Sequence, residues 1–219
     1  MGKSLQSLSL AFLYQDFWPL LIIIPHFLDN FWQEEILRFF NSSEKPEIQV
    51  FSGFSNKISK TAKILIFPYE IAAKNIEKLQ DLKPQFVICD EIGPFANQKS
   101  NISKILMPFL QKIKHLVLIS SPISLESPKD FFPALQLLRP AVFKDFRLFV
   151  ERYCEIKQSN FGLGCEYCGY RNSQELKVLL NALGFSRKRK NEYMLELKEK
   201  NRKIINLTIE NHRFLKVFK

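Results

Sequence analysis

Phe86-Val87-Ile88-Cys89-Asp90-Glu91 decides the fold of this chain. An unbroken apolar run that ends in adjacent carboxylates reads as a strand buried on both faces, as in a parallel sheet. Ligands of open α/β sheets sit at the carboxyl ends of the strands, which is where these acids emerge. In phosphoryl-transfer enzymes of that architecture the first acid holds Mg²⁺ and a neighbouring group positions water. The plain alternative is a strand followed by solvated acids. Gly2-Lys3-Ser4, at the other end of the sequence, weighs against it.

Outward from this strand, strand-like and helix-like stretches alternate. Ser4 to Gln15 carries Leu5, Leu8 and Phe12 at helical spacing, and Leu20 to Ile24 is an apolar strand stopped by Pro25. Asn30 to Phe40 has the pattern of an amphipathic helix, and Glu47 to Phe51 and Ala62 to Phe67 have that of strands. One helix is expected from Tyr69 to Leu79, another from Ile102 to Ile113 with a kink or break at Pro108, and a strand from His115 to Ser120. Such alternation predicts an α/β fold, a parallel sheet covered by helices on both faces. Beyond Ser120 the pattern turns helical over Lys129–Leu138, Phe143–Arg152 and Ser173–Leu183, with a loop over Lys157–Asn172 and a last strand over Lys203–Ile209. The predicted plan is a sheet domain over residues 1–125 and a helical extension over 126–219.

A chain of 219 residues with 46% hydrophobic content and 21 Phe can bury a substantial core. Its net charge of +10 favours polyanionic partners without requiring them. The apolar stretch from Trp18 to Pro25 is shorter than the ~20 residues a membrane span needs, and no secretory leader pattern precedes it. Cys89, Cys154, Cys165 and Cys168 form no disulfide framework, so a reducing compartment is expected.

Gly2-Lys3-Ser4 at the start of a helix matches the end of a phosphate-binding loop, G-x-x-x-x-G-K-[ST]. There Lys3 would reach the β- and γ-phosphates and the Ser4 hydroxyl would meet Mg²⁺. Combined with the acid-tipped strand this suggests a two-motif nucleotide site: Gly2, Lys3, Ser4 and Asp90 would bind the nucleotide, Ser4 and Asp90 would meet Mg²⁺, and Glu91 would orient water. Cys165-Glu166-Tyr167-Cys168 supplies one close ligand pair where structural zinc uses two, so ordinary loop cysteines are the better reading. Arg187-Lys188-Arg189-Lys190 suits phosphate contacts, a localisation signal or a solvated helix end. The histidines lie far apart in sequence, and the Phe131–Phe149 aromatics read as core between helices.

Pro25-His26-Phe27-Leu28-Asp29-Asn30-Phe31-Trp32-Gln33-Glu34-Glu35-Ile36 resembles the segment after the second strand in Swi/Snf-type superfamily 2 helicases, with Trp32 and Glu35 on characteristic positions. Ile66 to Ile71 is similar to the next motif, Phe86 to Glu91 to the Walker B motif, and Asn97 falls on an Asn of the same block. Leu125, Pro128, Asp130, Phe132, Pro133, Leu135, Leu138, Arg139, Pro140, Phe143, Phe146, Phe149 and Arg152-Tyr153-Cys154 follow the family in order and spacing. Glu166-Tyr167, Gly169, Asn172 to Leu176, Arg187, Lys190, Lys200 and Arg202 continue the match. Within that family the chain resembles the first RecA-like lobe of the HepA-related annealing helicases.

The resemblance implies a DNA-stimulated ATPase acting on duplex or branched DNA, with ATP and Mg²⁺ as cofactors, no membrane association and a nuclear location in a eukaryote (cytoplasmic otherwise). It also implies departures. The family's G-x-G-K-T loop is represented only from Gly2, without the strand before it, and a sheet left without that strand is expected to be poorly soluble. Gly93 stands where a His follows the paired acids, and Ser120-Ser121-Pro122-Ile123 where the family has Ser-Gly-Thr-Pro. Hydrolysis in this family draws on an arginine from a second lobe, worth roughly 10³–10⁵ in rate, so the chain alone is expected to be an incompetent motor. A non-catalytic helicase-like remnant that binds DNA or a partner protein is the alternative, and an unrelated P-loop kinase or small NTPase fits only the Gly-Lys-Ser element.

Overall fold

The computed structural model describes residues 2–40, 45–52, 57–120, 127–158, 165–187 and 202–203. Gly2–Phe185 form one compact unit, and the few described residues beyond it belong to a second. The expected strand at Lys203–Ile209, residues 188–190 of the basic run and residues 121–123 lie outside the described residues, apart from Lys203 itself.

Helix α1 (Lys3–Leu13) leads to strand β1 (Leu20–Ile24), helix α2 (Asp29–Phe39), and strands β2 (Ile48–Val50) and β3 (Ile64–Pro68). Then follow the short helices α3 (Tyr69–Lys74) and α4 (Ile76–Leu82), strand β4 (Phe86–Cys89), helix α5 (Asn101–Leu110) and strand β5 (His115–Leu118). The strands form one parallel sheet in the order β2-β3-β1-β4-β5, which puts β1 at its centre. Its register aligns Ile23 with both Phe67 and Cys89, so the carboxyl ends of β1, β3 and β4 open side by side.

Side-chain alternation splits the core into two layers. Leu21, Ile23, Leu65, Phe67, Val87 and Cys89 face one way, onto α3, α4 and α5 through residues such as Ala72, Leu79 and Leu106. Leu20, Ile22, Ile24, Ile64, Ile66, Phe86 and Ile88 face the other way, onto Leu8 and Ala11 of α1 and Trp32 and Ile36 of α2. Strands buried on both faces need apolar residues at every position, and β1, β3 and β4 are buried along their whole lengths. The α/β reading therefore holds.

Several local expectations change. The helix predicted over Tyr69–Leu79 is two helices, because Asn75 is buried and turns its side-chain amide back onto the main-chain carbonyl of Ile71 (2.9 Å). That bond competes with helix continuation, a known habit of Asn. Pro108 causes no break: α5 runs through it to Leu110, begun by a Ser100 hydroxyl that accepts from the Ser103 N–H (3.1 Å). The buried face of α1 is Ser7, Leu8 and Ala11, whereas Leu5 and Phe12 are substantially exposed. Small residues let this helix approach the sheet, and its remaining apolar residues blur the period.

Beyond the sheet, helices α6 (Phe132–Leu138), α7 (Phe146–Tyr153) and α8 (Ser173–Ala182) pack through Phe132, Leu135, Phe149, Val150, Leu176 and Leu180. The aromatics of this stretch are mutual packing partners, as expected, with Phe132 against both Phe146 (5.3 Å) and Phe149 (5.4 Å). Where a loop was expected, β6 (Glu155–Gln158) and β7 (Cys165–Cys168) form an antiparallel pair. Both strands are short and carry charged residues, so alternation gave no signal. Leu137 of α6 packs in the layer that holds α5, which ties the helical part to the sheet. No helix among the described residues is long and apolar enough to cross a membrane.

The Phe67 ring lies stacked on Phe51 at 3.9 Å and is 1% exposed. Phe67→Ala is therefore expected to cost about 3–5 kcal/mol, read from urea unfolding; a loss below about 1 kcal/mol would contradict this packing.

Candidate functional site

Glycine is required at the entrance to α1. Gly2 has φ 68° and ψ 27°, the left-handed region that other residues enter at a cost, and its carbonyl accepts from the Gln6 N–H (2.9 Å). This turn starts the helix at Lys3. The face of α1 that packs on the sheet then sets Lys3 beside the carboxyl end of β4, with Nζ 4.0 Å from Glu91 Oε1. Both side chains are partly exposed, so this ion pair contributes little stability. Its significance is positional: residues far apart in sequence, Lys3 and Glu91, meet at one point. Ser4 is the next residue of the same helix turn and is half-buried.

Asp90 is 5% exposed. Its main-chain N–H donates to the Ile23 carbonyl (2.9 Å), continuing the ladder between β4 and β1 one residue past the strand. Its main-chain carbonyl accepts from the Tyr69 hydroxyl (3.0 Å) at the end of β3. The carboxylate accepts from the Trp32 indole N–H at Oδ2 (2.9 Å) and from the Glu91 N–H at Oδ1 (3.0 Å). Burial pushes the Asp90 carboxyl above the usual carboxylate range; the Trp32 N–H pulls it down, the Glu91 charge pushes it up and Lys3 pulls it down. Burial likewise raises the Tyr69 phenol and the Cys89 thiol, so neither is a reactive anion at neutral pH.

Glu91 has φ 53°, one of the non-glycine residues with a left-handed backbone. Such a residue costs on the order of 1–3 kcal/mol and is held by its surroundings. Here the surroundings are the Asp90 contacts on one side and the Ile92 N–H on the other, which donates to the Ile119 carbonyl (3.2 Å). The Glu91 side chain that leaves this turn is the one that pairs with Lys3. Gly93 follows in a 3-10 turn, where an added Cβ would meet no atom within 4 Å.

The expected residues Gly2, Lys3, Ser4, Asp90 and Glu91 thus lie at or beside one corner of the sheet. The Asp90 and Glu91 carboxylates are hard oxygen donors, and Mg²⁺ takes one or two carboxylates together with phosphate oxygens and water, so this corner fits the ion. Among the described residues there is no cluster of three His, Cys, Asp or Glu side chains suited to hold a metal alone. Arg187 belongs to the second compact unit, and Lys188, Arg189 and Lys190 lie outside the described residues. Tyr69 was not anticipated as an Asp90 partner, and the contact of Trp32 with Asp90 was not legible either. An aromatic with a polar tip at a strand's carboxyl end was the available signal.

If Glu91 is strained for position rather than for folding, Glu91→Gly should unfold later than the wild type, by about 0.5–1 kcal/mol in urea titration. A clear loss of stability would show that the left-handed turn is not costly.

Comparison with known proteins identifies the family. The family described as SNF2-related domain matches residues 1–218. The SWI/SNF-related matrix-associated actin-dependent regulator of chromatin subfamily A-like protein 1 of Drosophila melanogaster is 31% identical over 207 residues, covering 94% of this chain and 27% of that protein. The DNA annealing helicase and endonuclease ZRANB3 of Bos taurus is 31% identical over 213 residues, covering 94% of this chain and 20% of its own length. The chain therefore spans about a quarter or less of these relatives. Among solved structures, the Sulfolobus solfataricus SWI2/SNF2 ATPase core domain superposes with a TM-score of 0.63 at 20% identity, over 89% of this chain and 38% of that one. The same core in complex with dsDNA gives 0.55 at 21% identity, over 69% and 32%. The fold is that of a RecA-like α/β lobe, and the chain belongs to the SNF2-related domain family.

Proposed function

We propose that this chain is the ATP-binding lobe of a DNA-dependent, annealing-helicase-like ATPase. Gly2, Lys3 and Ser4 bind the phosphates of ATP, Ser4 and Asp90 hold its Mg²⁺, and Glu91 orients the attacking water and takes its proton. Mg²⁺ would neutralise charge on the phosphates; Lys3 would do so from the side of α1. The observation that carries this reading is the meeting of Lys3 with Glu91 at 4.0 Å, next to a carboxylate buried at 5% exposure. Residues 1–125 would form the nucleotide lobe and 126–219 its helical extension.

DNA is the proposed partner. A net charge of +10 supports it, as does the dsDNA complex of the Sulfolobus core. Arg187, Lys188, Arg189 and Lys190 are proposed phosphate contacts, whose binding would be insensitive to sequence and weaken with salt. The relatives' names, regulator of chromatin and annealing helicase, favour action in the nucleus. Efficient turnover would require a second lobe with its arginine, supplied in cis, so these 219 residues are proposed to bind ATP without acting as a motor alone.

A second reading, a non-catalytic helicase-like domain that binds DNA or a protein, is favoured by Gly93. The open space around this glycine would admit the His that the family resemblance leads one to expect, yet no side chain is there to link nucleotide state to DNA. ATP binding separates the two readings. Lys3→Ala should weaken Mg²⁺–ATP binding at least ten-fold in calorimetric titration while leaving the unfolding midpoint unchanged. Equal binding by the two proteins would overturn the assignment of this loop.

A further inference from the structure

We propose that Trp32 is a positioning residue for Asp90: its indole N–H fixes the carboxylate plane that Mg²⁺–ATP requires, which makes the indole a built-in reporter of that site. The inference rests on the reading that Asp90 meets Mg²⁺. Trp32 comes from the first turn of α2, is 0% exposed, and packs in the layer that holds the β1 and β4 residues Ile22, Ile24 and Ile88. Packing explains the ring but not the destination of its polar atom. An indole N–H is a donor only, and a main-chain carbonyl would satisfy it. Trp18 does this, donating to the Ala11 carbonyl at 3.0 Å. Trp32 instead donates to a side-chain carboxylate, at 2.9 Å, in the candidate site.

The consequence is geometric. A carboxylate on a single bond can rotate unless both oxygens are held. Trp32 holds Oδ2 from one sheet face, and the Glu91 N–H holds Oδ1 from the chain itself. Each oxygen keeps further lone-pair capacity for a metal or its water. The main chain beneath is fixed separately, through Tyr69 and Ile23. Loss of the indole N–H would therefore free the carboxylate without releasing the backbone. Residues that orient a metal's own ligand typically contribute about 10–100-fold in metal affinity.

The test uses the full chain labelled with ¹⁵N-tryptophan, whose two indole N–H cross-peaks are assigned with Trp18→Phe. The Trp32 peak should move in Asp90→Asn and on addition of Mg²⁺ with ATP, and should stay in place with ATP in EDTA; the Trp18 peak should stay in place throughout. In Trp32→Phe the Mg²⁺ concentration for half-maximal ATP binding should rise about ten-fold, with ATP affinity in EDTA unchanged. A purely structural role would weaken binding equally with and without Mg²⁺, and would overturn the proposal. A Trp32 peak indifferent to Asp90→Asn would overturn it without Trp32→Phe, should that variant fold poorly. If wild-type ATP binding depends on Mg²⁺ and Trp32→Phe keeps that dependence, only this inference falls. If the wild type binds no ATP, both it and the nucleotide-site reading fall.

Discussion

Asp90 is a carboxylate at 5% exposure at the carboxyl end of an apolar strand, and such a group is tolerated only when partners take up its charge. The carboxylate accepts from the indole of α2 and the N–H of Glu91, while the phenol just after β3 holds the residue's main-chain carbonyl. Each is in reach because the register aligns the carboxyl ends of β1, β3 and β4. A one-residue slip of any of these strands would turn its alternating side chains to the opposite layer and carry the partner away. The hydrogen bonds of one residue thus report whether the whole sheet is assembled correctly.

The same corner concentrates features that do nothing for stability. Asp90 is buried with its carboxyl driven upward, Glu91 has a left-handed backbone, and Gly2 has one too at the start of α1. The rest of the sheet is conventional, with apolar residues alternating onto two helical layers. Local departures of this kind persist where a site needs a geometry that folding alone would not choose. Their coincidence with Lys3 is what favours chemistry over a merely solvated strand end.

Much of this was legible in the sequence. Apolar strands followed by turn residues identified the parallel sheet, and the Phe86–Glu91 run placed its acids at the carboxyl end of a strand. Position along the sequence could not show how closely Lys3 and Glu91 meet, because that depends on α1 packing beside α2 on one face of the sheet. The buried face of α1 was misjudged for a related reason: Leu5, Phe12 and Leu13 are apolar but exposed, while Ser7 and Ala11 are buried. The break at Asn75 depends on one side-chain bond to Ile71, and the β6–β7 pair on hydrogen bonds between two short charged segments. Neither leaves a period to read.

The most direct test of the account is calorimetric titration of ATP into the wild type and Asp90→Asn, each with Mg²⁺ and with EDTA. The account predicts one saturable site in the wild type that is strengthened by Mg²⁺, and an Asp90→Asn protein that loses the Mg²⁺ enhancement but keeps the weaker metal-free binding. An Mg²⁺ enhancement that survives Asp90→Asn unchanged, or a folded wild type that binds no ATP, would contradict it.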